Sequence, residues 1–224
     1  LSSIGVENLH VWGRGVDLDL FNPEHKKSEE VAQLRKKIAP KGERIIGFVG
    51  RLAAEKQVHR MSELLSIPNT KFVIVGDGPE RSRLEAQFAG QGVYFAGRQT
   101  ALDLAYHYSA LDIFVHFGTE ETFGQTIQEA QASGLPVVAP NVGGPKFLIE
   151  DGVNGFLANP EGQGGYQRLV RKLLDDGKLQ EKMAHKAREA VTNKSWENNN
   201  AKLIGFYQQA IEQVAKKAAR IGLA

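Results

Sequence analysis

The chain is predicted to fold as an α/β domain, a parallel sheet with helices on both faces. Strand-like apolar runs and helix-like segments alternate four times ahead of His116, as such a layered sheet requires. The stretch from Ile113 to Ala139 then reads strand, polar loop, helix, strand, which is the right-handed crossover of a parallel sheet. With 224 residues, 42% of them hydrophobic and 24% charged, there is material for one sizeable core, and 1–224 is taken as a single domain.

In order, Leu9–Trp12 is expected as a short strand, followed by turn-rich segments through Gly13–Asp17 and Phe21–Pro23. Asp17-Leu18-Asp19 matches a short metal-binding pattern of sugar-transferring enzymes but is taken as a turn. A charged helix over Glu29–Lys37 leads to the first strong strand, Arg44–Gly50. A helix over Val58–Leu65, a strand over Lys71–Val75 and the turn Gly76-Asp77-Gly78-Pro79 come next. That turn starts like a dinucleotide fingerprint, yet Arg81 stands where the third glycine belongs, which argues against an oxidoreductase. Glu80–Phe88 is helical, Val93–Phe95 a strand, and Thr100 is placed to cap a helix running to Ser109. Beyond the crossover, glycine turns at 141–145 and 151–155 precede a last short strand at Phe156-Leu157. The chain is helical from Tyr166 on, ending in a helix from Trp196 to about Ile221. His59, His107 and His185 fall in helices without metal-ligand spacing and are expected at the surface.

A net charge of +2 with no aromatic-interleaved basic stripe argues against nucleic acid as a partner. The absence of cysteine rules out disulfides, thiolate metal sites and a cysteine nucleophile. With no membrane-length apolar run and no signal pattern, a cytoplasmic location is expected. Because the first residue is Leu1, the chain is expected to be part of a longer protein.

The chemistry is expected at the carboxyl ends of the strands, where ligands of such sheets sit. Glu121 in the loop and Glu129 inside the following helix can both reach one ligand, and carboxylates suit the vicinal hydroxyls of a ribose or hexose. Free amides of Phe123, Gly124, Gln125 and Thr126 at the helix start suit an anion. After Gly50, Arg51 offers a planar donor fork and Lys56 a mobile point charge, a complementary pair for a diphosphate. Plainer alternatives stand beside these: Glu121 as an electrostatic helix cap, Glu129 solvated, and Glu55 paired with Lys56 or Arg51.

The motifs form a co-linear series: Gly15-Val16-Asp17, Gly50-Arg51-Leu52 with Glu55-Lys56, Gly76-Asp77-Gly78-Pro79, Glu121-Thr122-Phe123-Gly124 with Glu129, and Gly143-Gly144-Pro145. Taken together they resemble the retaining glycosyltransferases of family 4, over almost the whole chain. The resemblance implies a Rossmann-like domain, the carboxyl-terminal, donor-binding half of a two-domain GT-B fold. It also implies that Arg51 and Lys56 hold the donor diphosphate and stabilise it as leaving group. Glu129 is then the carboxylate on the ribose, and Glu121, with the Phe123 and Gly124 amides, the sensor of the sugar hydroxyls. Gly97-Arg98 borders the base, and no metal or other cofactor is required. Gln57 stands where the family usually has glycine, and His116-Phe117 where it usually has Pro-Ser. With the run His116–Glu129, that second departure is similar to actinobacterial GDP-mannose-dependent alpha-mannosyltransferases.

The expected activity is transfer of a hexose, mannose by that resemblance, from a nucleotide diphosphate to a lipid-linked or glycan hydroxyl. The isolated chain is expected to bind donor without transferring it, the acceptor being held by an amino-terminal domain. A non-catalytic nucleotide- or sugar-binding module is the alternative. The terminal helix, 196–224, places Lys216, Lys217 and Arg220 on consecutive turns, with Ile204, Ile211 and Val214 able to face protein. It is expected to meet the second domain, or the inner face of a membrane peripherally, if it is not simply solvated.

Overall fold

The structure, a computed structural model, describes residues 3, 5, 9–162 and 164–220, with side chains as far as 216. Two compact units divide the chain: 1–16 with 193–224, and 17–192.

The larger unit is built on a six-stranded sheet in the order β3-β2-β1-β4-β5-β6. Its strands are β1 (Arg44–Val49), β2 (Thr70–Val75), β3 (Val93–Gly97), β4 (Ile113–Val115), β5 (Val137–Pro140) and β6 (Gly155–Ala158). Every pairing is parallel. Strands β4 and β5 are buried throughout and β1 from its second residue on, which is why they read as unbroken apolar runs rather than alternating ones. Helices α1 (Glu29–Ile38), α2 (Arg81–Gln87), α3 (Ala101–Ala110), α4 (Gln125–Ala132), α5 (Pro145–Leu148), α6 (Gly165–Asp175) and α7 (Gly177–Val191) complete the unit. Alternate strand residues supply two apolar layers. Ile46, Phe48 and Val115 join Met61, Leu84 and Tyr166 on one face. On the other, Phe114 meets the ring of Tyr108, which meets Phe21 edge-on at 5.5 Å.

Local chemistry explains the helix ends. Ser28 caps α1 through Val31 N, and Asp176 caps α7 through Leu179 N, dividing the helical stretch after Tyr166 in two. At the amino ends of the strands, Asp112 accepts from Ile45 N (2.7 Å) and from Arg35 of α1 (3.1 Å), tying that helix to the sheet. Arg188 of α7 donates to the carbonyls of Phe21 and Ala132 (both 2.7 Å) and of Leu18 (3.1 Å). One guanidinium thus pins the entry segment to the end of α4.

Several expectations change. Leu9–Trp12 is not a strand. Trp12 Nε1 instead donates to Asn199 O, and His10 stacks on Phe206. Val58–Leu64 is a 3-10 rather than an α-helix, entered through Gln57 in a left-handed conformation. Pro23–Lys27 is a further 3-10 turn, and Pro145–Leu148 a short helix where a turn was expected. Thr100 precedes α3 without a capping bond from its side chain, because Ala101, at φ 47°, brings the chain into the helix off the usual cap geometry. His107 is buried, its Nδ1 at 2.7 Å from Asp103 O, whereas His59 and His185 are exposed. The Asp17 turn holds: its carboxylate accepts from the amides of Asp19 and Leu20.

The smaller unit contains α8 (Trp196–Arg220), with a bridge between Val16 and Ser195. Ile204, Ile211 and Val214 are exposed in it. Of the expected basic face, Lys216 pairs loosely with Glu212 at 3.8 Å, and the side chains of Lys217 and Arg220 lie outside the described residues. Among the described residues no helix is long and apolar enough to cross a membrane.

Candidate donor-binding cleft

Strand order reverses between β1 and β4, the switch point at which open parallel sheets leave a crevice at their carboxyl ends. A cleft of about 670 Å³ lies there. Gly50 and Arg51 come to it from the loop after β1, Asp77 from that after β2, Arg98 and Gln99 from that after β3, and Thr126 and Glu129 from α4. The loops are zipped together by backbone: Gly50 N donates to Val75 O (3.0 Å), Leu52 N to Asp77 O (2.9 Å) and Gly76 N to Gly97 O (2.8 Å). Gly76 is needed for this. At φ 134°, a Cβ there collides with the carbonyl of Gly50. The Gly-Asp-Gly turn therefore serves loop packing, and Arg81 beyond it is taken up by Asp77 (3.0 Å) and Glu85 (2.8 Å).

Of the residues expected from sequence, Gly50, Arg51, Arg98, Thr126 and Glu129 line this cleft together. Gly97 ends β3 with its carbonyl engaged by Gly76, and Gln125 is the first residue of α4. Lys56 and Glu121 meet each other: Nζ and Oε2 are 2.6 Å apart, and both side chains are mostly buried. This replaces the local pairing of Glu55 with Lys56.

The amides of Phe123 and Gly124 are not free, as the sequence had suggested; both donate to Glu121 Oε1, at 3.2 and 2.9 Å. A carboxylate two and three residues back in the chain reaches them before any ligand does. Burial alone raises the Glu121 carboxyl, but Lys56 and these amides outweigh it and hold the group below its ordinary range. Gln57, at φ 49°, reaches across to Thr119 Oγ1 at 2.9 Å. The turn carrying Lys56 is thus bridged twice to the loop carrying Glu121. Gly144 closes the loop from the other side: its amide donates to Glu121 O at 2.7 Å, and a Cβ on it meets the Phe123 backbone at 2.8 Å.

Glu129 is not solvated. Burial raises its carboxyl from the ordinary 4.5 to about 7, partly offset by a 2.8 Å hydrogen bond from the Tyr108 hydroxyl. His116, behind Glu121 with Nε2 at 3.8 Å from Oε2, is pushed by burial down to about 4 and is neutral. Sequence reasoning missed Tyr108, Asp77, Gln99 and the Gln57 to Thr119 bridge. Tyr108 on an apolar helix face looks like core, and only its hydroxyl gave a hint, since a buried tyrosine needs a polar partner.

What this arrangement can do chemically is hold a polyanion and a polyol side by side. Two arginines face one crevice, a lysine five positions after the first of them is held by Glu121, and two carboxylates of opposed character stand eight positions apart along the chain. Among the described residues no cluster of three or more His, Asp or Glu is placed to hold a metal.

Residues 30–190 match the family model described as glycosyl transferases group 1. A GDP-mannose-dependent alpha-mannosyltransferase of Mycobacterium tuberculosis is 41% identical over 204 residues, covering 91% of this chain and 52% of that protein. One of the same name from Corynebacterium glutamicum is 40% identical over 209 residues, covering 92% and 49%. The chain spans about half the length of the curated relatives it matches. Among solved structures, Anabaena HepE in complex with UDP and glucose superposes with a TM-score of 0.75 at 26% identity, covering 92% of this chain and 56% of that one. Sucrose-phosphate synthase from Thermosynechococcus elongatus gives 0.79 at 28% identity, covering 89% and 52%.

Proposed function

The chain belongs to the glycosyl transferases group 1 family, and from that premise we propose that it is the donor half of a retaining alpha-mannosyltransferase using GDP-mannose. The observation that carries this is the cleft at the sheet's switch point, where Arg51, Arg98, Thr126 and Glu129 converge; the Lys56 to Glu121 pair joins the loops that follow β1 and β4. The names of the relatives that are 40 and 41% identical support the nucleotide and the sugar. The acceptor, a glycolipid or glycan hydroxyl, is assigned to a second domain, with which α8 and its exposed Ile204 and Ile211 make contact. Peripheral contact with the inner face of a membrane is part of the same proposal.

In this reading the bond between the anomeric carbon and the β-phosphate oxygen breaks, and GDP leaves with the electron pair. The acceptor oxygen bonds to that carbon on the same face and passes its proton to the departing diphosphate oxygen. Charge builds on the departing diphosphate, so fixed cations facing it lower the barrier. Arg51 supplies a two-pronged donor, and Lys56 can turn from Glu121 to the phosphate because its stem is flexible. Gly97 and Arg98 border the base, and Glu129 takes the ribose hydroxyls. Glu121 takes the hexose hydroxyls, its carboxylate still oriented by the two amides once Lys56 has turned away. Phe123, Gly124 and the first residues of α4, Gln125 and Thr126, shape that wall. No metal is required.

Titrating the 224-residue chain with GDP, UDP and ADP tests the proposal. GDP is expected to bind more tightly than the other two, with the same affinity in EDTA, and no sugar transfer by the isolated chain is expected. Equal or absent binding of all three would overturn it.

A further inference from the structure

Tyr108 is fully buried on α3, yet its hydroxyl reaches the cleft wall from behind. It stands 2.8 Å from Glu129 Oε2 and 3.2 Å from Thr126 O, two acceptors for a single proton. The two cannot both be satisfied at once by donation. When Glu129 is ionised, the hydroxyl proton belongs on Oε2, the stronger acceptor. When Glu129 is protonated, the carboxyl can itself donate to the Tyr108 oxygen, and the hydroxyl turns to the Thr126 carbonyl. The bond to the charged Oε2 is the shorter and the stronger of the two arrangements, so the hydroxyl favours the ionised form. The ring is held between Phe21, edge-on at 5.5 Å, and Phe114, tilted at 5.8 Å.

We propose that Tyr108 is a positioning residue for nucleotide binding: its hydroxyl fixes Glu129 Oε2 and selects the ionised carboxylate, so that donor binding is accompanied by loss of a proton from Glu129. The inference rests on the assignment of Glu129 to the ribose made above. A carboxylate accepts from both hydroxyls of a diol, whereas the neutral acid spends one oxygen as a donor, so the diol favours the ionised form. Burial keeps the free site near half-protonated at neutral pH, its carboxyl sitting at about 7. The other charged groups on this wall are Arg51, Arg98 and Asp77, and Asp77 is already neutralised by Arg81. Beyond that wall, Glu121 pairs with Lys56 and is held below its ordinary range, and His116 behind it sits at about 4, so neither carries a proton to lose in this range and proton loss on binding falls to Glu129.

The test is calorimetric titration of GDP-mannose from about pH 5.5 to about pH 8.5, repeated in buffers of different ionisation heat. GDP-mannose is chosen because its diphosphate is esterified at both ends and does not itself titrate there. Affinity is expected to rise with pH to a plateau above the Glu129 midpoint, with protons released below it. Tyr108→Phe keeps the ring but removes the donor to the ionised form, so the midpoint moves up by about one pH unit and affinity at pH 7 falls about fivefold. Affinity near pH 9 recovers. A purely structural tyrosine would instead lower affinity equally at all pH values with the midpoint unmoved, and that result would overturn the proposal. Glu129→Gln should abolish the pH dependence.

An NMR titration of the Glu129 carboxyl in the unliganded wild-type chain reads the same linkage without nucleotide or variant. A midpoint near 7 supports the proposal, and an ordinary value near 4.5 refutes it even if Tyr108→Phe fails to fold. If GDP-mannose does not bind at any pH while that midpoint stands near 7, the assignment of the donor is at fault, and the role given to Tyr108 in binding falls with it.

Discussion

Replacing Glu121 by Gln should move stability and nucleotide affinity in opposite directions. In the free protein the carboxylate takes Lys56 at 2.6 Å and the amides of Phe123 and Gly124, with only 15% of its side chain exposed. Glutamine keeps one oxygen for the amides but loses the charge, so the Lys56 bond weakens from a charge-assisted to an ordinary one. Such a bond is worth about 1.5 to 3 kcal/mol, and Lys56 recovers part of that by turning to water, leaving a loss of about 1.5 kcal/mol. For a bound diphosphate the sign reverses. A unit negative charge about 4 Å away repels by about 1 kcal/mol in a water-like dielectric, and removing it also frees the ammonium for phosphate. GDP should then bind about fivefold more tightly, with the gain shrinking in salt, while sugar transfer by the full-length protein is impaired. Urea unfolding and calorimetry read the two halves separately. An affinity for GDP that falls tenfold would show Glu121 to be a nucleotide ligand, and an unchanged unfolding midpoint would show the ion pair to be energetically empty.

Arg51→Ala should cost about 1.5 to 3 kcal/mol of GDP affinity and far less of GMP affinity, since the lost fork serves the diphosphate; equal losses would place it on the nucleoside instead. Lys56→Ala should behave in the same way but lose less, because its Glu121 bond has to be given up on binding. Glu129 makes the fold sensitive to pH. Its carboxyl is raised in the folded state, so its stabilising contribution is complete below the unfolded value of 4.5 and is lost as pH rises through about 7. That is ~3 kcal/mol across the window, and denaturation midpoints at intervals of pH should show the decline in the wild type but not in Glu129→Gln. Arg188→Ala should cost about 3 kcal/mol, because three backbone carbonyls lose one charged donor. Arg188→Lys should recover only part of it, and a loss within experimental error for the Ala variant would mean water replaces the guanidinium at no cost.

The layered parallel sheet, the succession of strands and helices along the chain and the loops on which function sits were legible in the residues alone. Those follow from local patterns: unbroken apolar runs such as Ile113–Val115 and Val137–Pro140, and glycines wherever one loop backbone must press on another. Residue types and spacing at a strand's carboxyl end also marked Arg51, Thr126 and Glu129, because they limit what a ligand can be, whereas Arg98 was marked only by the family resemblance. What the sequence left undecided is which polar group satisfies which. Lys56 pairs with a carboxylate 65 positions away rather than with its neighbour Glu55, and Tyr108 finds Glu129 21 positions on. Such partners are set by which strands lie side by side, a through-space relation with no period along the chain. The same limit explains Leu9–Trp12, whose apolar pattern suits a strand but whose Trp12 and His10 are taken up by Asn199 and Phe206, nearly two hundred positions on. Burial, too, is a property of the packed whole: it makes Glu129 a weaker acid and His116 a weaker base, although their ordinary values would have the first fully and the second about a quarter charged at neutral pH.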